Sequence, residues 1–66
     1  MCIPKAFLRQ NGKETLIMED IQSIVWKDPT HFILTDIIGN SKSVEGRILA
    51  MDLINHQILI EGNVSD

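Results

Sequence analysis

The chain has 66 residues, six Lys or Arg against nine Asp or Glu, a formal charge of −3 and a single cysteine. A chain this short buries only about 60% of its unfolded surface and has no internal disulfide to help, so a metal or a second copy is the expected source of added stability. The acidic balance, with no basic cluster and only Phe7, Trp26 and Phe32 as aromatics, argues against nucleic-acid binding, which needs gathered cations and stacking faces.

No apolar run nears the roughly 20 residues that span a bilayer, and no signal-peptide pattern opens the chain. The expectation is a cytoplasmic protein, without a membrane partner, whose thiol stays reduced. Cys2 therefore works, if it works at all, with a partner: a metal and nearby backbone nitrogens, a second chain, or both. A lone cysteine also serves simply as a small apolar residue.

Short runs of Ile, Leu and Val broken by turn signals predict strands. The first covers Ile3 to Arg9, with Pro4 confining it to an edge or a strand start because proline donates no ladder hydrogen bond. Asn11-Gly12 is the strongest hairpin signal, since both residues tolerate the positive φ of a type I′ turn. Lys13 to Met18 is the return strand. Glu19-Asp20 marks a bend before Ile21 to Trp26, and two solvated carboxylates there supply too few oxygens for a calcium or magnesium site. Lys27 to Thr30 is a turn.

His31 to Ile38 is the most strand-like run, with Phe32, Leu34 and Ile38 on one face and Ile33 and Ile37 on the other. Both faces should then be covered, one by the core and one by something outside it, such as a second subunit. Gly39-Asn40 turns the chain into Ser41 to Met51, where Gly46 predicts a bulge or sharp bend. Asn55-His56 is another tight turn, Gln57 to Glu61 the last strand, and Gly62 to Asp66 a loose tail. Met18 and Met51 read as core fillers, and Trp26 as an anchor in the core or at a dimer contact. His31 and His56 read as surface histidines, since neither has a second ligand at metal spacing.

Five to seven short strands in this length cannot build a sandwich but can make a small antiparallel β-barrel, all-β in class, spanning residues 1–66 as one small domain. Nothing places a base beside Cys2, so no enzyme is expected.

Met1-Cys2, Leu16-Ile17-Met18-Glu19-Asp20-Ile21, Asp36-Ile37-Ile38-Gly39, Val44-Glu45-Gly46-Arg47-Ile48 and Asp52-Leu53-Ile54-Asn55-His56-Gln57-Ile58 together resemble the CooT family of small nickel-binding proteins. The likeness covers nearly the whole chain and rests on order, spacing and length jointly. The resemblance implies an Sm- or SH3-like barrel, a homodimer and a Ni(II) ion held by Cys2 of each chain at the interface. It also implies an accessory, metallochaperone-like role in delivering nickel to an enzyme client, carbon monoxide dehydrogenase. The family carries an older label of predicted RNA-binding protein, so an Sm-like RNA-binding module is the alternative.

Cysteine at position two sets the thiolate one five-membered chelate ring from its own nitrogen. That nitrogen is an amine if Met1 is removed and an amide that must lose a proton if Met1 stays. Either way sulfur and nitrogen donors give the strong field that square-planar Ni(II) favours.

Overall fold

The computed structural model describes residues 3–65, so Met1, Cys2 and Asp66 lie outside the described residues. Six strands follow in order: β1 Lys5–Gln10, β2 Lys13–Met18, β3 Ile21–Asp28, β4 His31–Asp36, β5 Ser41–Asp52 and β6 Gln57–Ser65. They form one sheet in the order β2-β1-β6-β5-β4-β3. The all-β class and the strand number match the sequence reading. The sheet does not close, since β2 and β3 are its two edges.

Four of the five ladders are antiparallel, as adjacent strands joined by short turns must be. The fifth is parallel: β1 lies along β6, with Lys5 opposite Gln57 and Arg9 opposite Glu61. Strands from the two ends of a chain share no tight turn, so nothing local forces them to run in opposite directions. Their pairing brings the N-terminal lead beside the turn that precedes β6.

The β1–β2 hairpin has the predicted turn, with φ of 52° at Asn11 and 77° at Gly12. Alternation along the strands then builds the core: Ala6 and Leu8, Met18, Ile21, Phe32 and Leu34, Val44, and Ile58 and Ile60 point inward. Phe32, Leu34, Val44 and Ile60 are fully buried, each stabilising the fold by about 1.5–3 kcal/mol relative to an exposed side chain.

Two expectations change and one narrows. β4 stops at Asp36, not Ile38. The Asp36 carboxylate accepts from the Ile38 and Asn40 amides at 3.0 and 2.8 Å and from Asn40 Nδ2 at 3.1 Å, giving the backbone a turn in place of a ladder. Met51 is a core filler in the sequence reading, but it sits at the outer end of β5, past a register shift between Ile48 and Ala50, and is half exposed. Of the two places read for Trp26, the core is ruled out: it is half exposed on edge strand β3, its ring 5.4 Å from that of buried Phe32.

A further change concerns the tail. Residues Gly62 to Ser65 are not loose but continue β6, with Val44 opposite Val64 and Ser43 opposite Ser65. Where β5 and β6 pass, Gly46 faces Gly62, and a Cβ on either would overlap a carbonyl oxygen of the other strand.

Desolvation raises the pKa of Asp36, but the hydrogen bonds from Asn40 and Ile38 together outweigh it, so its carboxyl titrates below the usual value. A folded-state pKa held below the unfolded one stabilises above the unfolded value of about 3.9 and is lost as pH falls through the folded one. Melting temperature should therefore drop in acid, and Asp36→Asn should flatten that drop in a thermal melt series from pH 6 to pH 2.

Candidate functional site

Backbone hydrogen bonds outside the ladders link four segments in a row. The Lys5 amide donates to the His56 carbonyl at 2.9 Å, the Ile21 amide to Pro4 at 3.0 Å, and the Ile37 amide to Asp20 at 3.0 Å. The N-terminal lead is thus held between the β5–β6 turn on one side and the β2–β3 link on the other. The β4–β5 turn follows next. Lys5 and Glu19 make an exposed ion pair at 3.7 Å, which adds little in water.

Each turn here has a local cause. Asp52 Oδ1 accepts from the Ile54 and Asn55 amides at 3.0 and 2.9 Å, and its Oδ2 from Asn55 Nδ2 at 2.8 Å. The bonds from Asn55 come first in holding the Asp52 carboxyl below its ordinary pKa. His56 closes the turn with φ of 55°. Asp36 organises the β4–β5 turn in the same manner.

Because an aspartate, not an apolar side chain, anchors each turn, the apolar residues between are pushed outward. Ile38 is 80% exposed, Leu53 80% and Ile54 88%, with Ile37 and Met51 about half exposed. A shallow apolar depression of about 220 Å³ lies among Pro4, Met51, Leu53, His56 and Ile58. The exposed Leu53 and Ile54, with half-exposed Met51 and the depression beside Pro4, make an apolar surface next to the N-terminal lead, the kind that marks association.

The predicted metal residue, Cys2, lies outside the described residues; Pro4, two residues on, is among them. His56 is beside that lead, whereas His31 is at the far end of β4. Among the described residues no group of three His, Cys, Asp or Glu side chains is arranged to hold a metal ion. Neither histidine therefore belongs to a metal cluster formed by the described residues.

Sequence reasoning did not single out Leu53-Ile54 as a surface. The signal was present: an apolar pair enclosed by Asp52 and Asn55, both turn formers.

A family model described as CO dehydrogenase accessory protein CooT matches residues 1–61. The chain belongs to the CooT family. A crystal structure of a Carboxydothermus hydrogenoformans protein assigned to CooT superposes with a TM-score of 0.80 at 27% identity, covering 94% of this chain and 98% of the other. An uncharacterized Archaeoglobus fulgidus protein is 40% identical over 45 residues, which is 68% of this chain and 98% of its own length. The family's description is that of an accessory to an enzyme. Among the described residues no helix is long and apolar enough to cross a membrane.

Proposed function

We propose that this CooT-family chain is a nickel carrier: two copies associate, and the Cys2 thiolates, one from each, bind Ni(II) as cargo for a nickel-enzyme client. The family's description makes carbon monoxide dehydrogenase the first client to test. The observation that carries the reading is the seat of the N-terminal lead, fixed at Pro4 and Lys5 beside the β5–β6 turn with its exposed Leu53 and Ile54.

Cys2 precedes Pro4 by two residues in the chain. Two copies meeting through this surface would bring both thiols to one interface. Each of Leu53 and Ile54 retains about 1.5–3 kcal/mol of unrealised burial, and that is the driving force for pairing. Square-planar coordination by two sulfurs and two nitrogens suits Ni(II), and the nitrogens are those of the same two termini.

RNA binding has less support. Both arginines are paired, Arg9 with Glu14 at 3.0 Å and Arg47 with Glu61 at 3.2 Å, so their charge is partly spent before any phosphate arrives.

Titration with Ni(II) should produce a thiolate-to-metal absorption band that saturates at one ion per two chains. The double variant Leu53→Ser, Ile54→Ser should shift the protein toward monomer in size-exclusion chromatography and weaken nickel binding, with circular dichroism unchanged. No band, together with RNA binding that collapses as salt rises, would replace this reading with the RNA-binding alternative.

A further inference from the structure

At the opposite end of β4, one imidazole joins three consecutive strands. His31 Nδ1 lies 2.8 and 3.0 Å from the two Asp28 carboxylate oxygens at the end of β3, and Nε2 lies 3.4 Å from Glu45 Oε2 on β5. Only the imidazolium has a proton on both nitrogens, so only the charged ring can donate to both carboxylates at once. The β3–β4 turn is tied down on its own account too. The Thr30 amide and hydroxyl donate to Asp28 Oδ1 at 2.9 and 3.1 Å, and the Gly46 amide on β5 donates to the Thr30 carbonyl at 2.8 Å.

We propose that His31 is a proton-operated latch that locks the tip of the β3–β4 hairpin onto β5 when charged and releases it when neutral. The latch borders an open groove of about 430 Å³ on the sheet, whose wall includes Asp28, His31, Glu45, Asn63 and Ser65. Neutralising the ring leaves a lone pair on one nitrogen facing a carboxylate. With Nδ1–H retained for the nearer Asp28, it is the Glu45 contact that turns repulsive.

The charged groups around the ring are few. β3 contributes Lys27 and Asp28, β5 contributes Glu45, and the next cross-strand neighbour on β6 is neutral Asn63. Arg47, two residues along β5, is engaged with Glu61. The bond to Asp28 foremost, with Glu45 adding to it, holds the His31 pKa above its ordinary value, and the same bond lowers that of Asp28. A folded pKa above the unfolded value of about 6.5 means the latch is fully set below 6.5 and is lost as pH rises through the raised value.

The test is an NMR pH titration, with His56 as the second histidine in the same spectrum and hydrogen exchange of the Gly46 amide as the report on the hairpin tip. We expect a His31 midpoint above 6.5, lowered most by Asp28→Asn and less by Glu45→Gln. Gly46 exchange, corrected for intrinsic chemistry, should quicken about two- to fivefold through that midpoint, as loss of one exposed ion pair allows. In His31→Gln the corrected rate should be fast at every pH. An unshifted midpoint, or Gly46 protection that ignores the His31 titration or survives intact in His31→Gln, overturns the latch.

Discussion

Cys2→Ser should abolish stoichiometric nickel binding while leaving the fold unchanged. Serine keeps the size and backbone but replaces a soft thiolate with a hydroxyl that stays protonated at neutral pH, and two such losses meet at one ion in the proposed dimer. Outer-sphere changes around metals typically cost 10–100-fold in affinity, so removal of a direct ligand should exceed about a hundredfold. The wild type should show a matching pH dependence. An unperturbed thiol has a pKa of about 8.5, and each must lose its proton to bind, so apparent affinity should fall steeply as pH drops from 8 to 6. Isothermal titration with both proteins at three pH values checks both claims, and a serine variant that binds as tightly as wild type removes Cys2 from the site.

Gly46→Ala should be the most destabilising small substitution in the chain. The added Cβ would overlap the Glu61 carbonyl oxygen and crowd Gly62 Cα at 2.8 Å, and both obstacles are backbone, which cannot rotate away. Gly62→Ala meets the mirror problem against Glu45 and Gly46 and adds a φ of 141°. A clash of this kind costs about 3 kcal/mol, or about 12–24 °C in melting temperature for a domain of this size. Total stability is expected near 3–10 kcal/mol, so either variant loses about a third or more of it. Gly39→Ala is the control: its φ of 97° is strained for alanine, but nothing lies within 4 Å of the new Cβ. Thermal melts should rank Gly46→Ala and Gly62→Ala far below Gly39→Ala; equal melting points for all three would refute the close-approach argument.

The candidate site was only half legible beforehand. Cys2 stood out because a lone thiol near a chain terminus is a chemical oddity visible in one dimension. The apolar surface beside the N-terminal lead was not visible, because Leu53 and Ile54 come next to it only through the parallel pairing of β1 with β6. Apolar residues in a row look like strand, and the alternation through Ile37 and Ile38 carried that reading two residues too far. Asp36 decided otherwise, since its side-chain hydrogen bonds to Ile38 and Asn40 end the ladder. His31 has no second ligand at metal spacing along the chain; Glu45 comes beside it only through strand register.

Residue order alone determined what is local: the all-β class, the Asn11-Gly12 hairpin, the inward alternation of Phe32 and Leu34 or Ile58 and Ile60, and the family likeness carried by several separated segments. These depend on backbone φ and on a two-residue period, both properties of neighbouring residues. Tertiary structure alone decided the parallel seat of β1 on β6, the ordering of Gly62 to Ser65 against Ser43 to Gly46, and the exposure of Met51 and Trp26. Each of these depends on which distant strand arrives alongside, and hydrogen-bond partners drawn from opposite ends of a chain leave no mark on the spacing of either end.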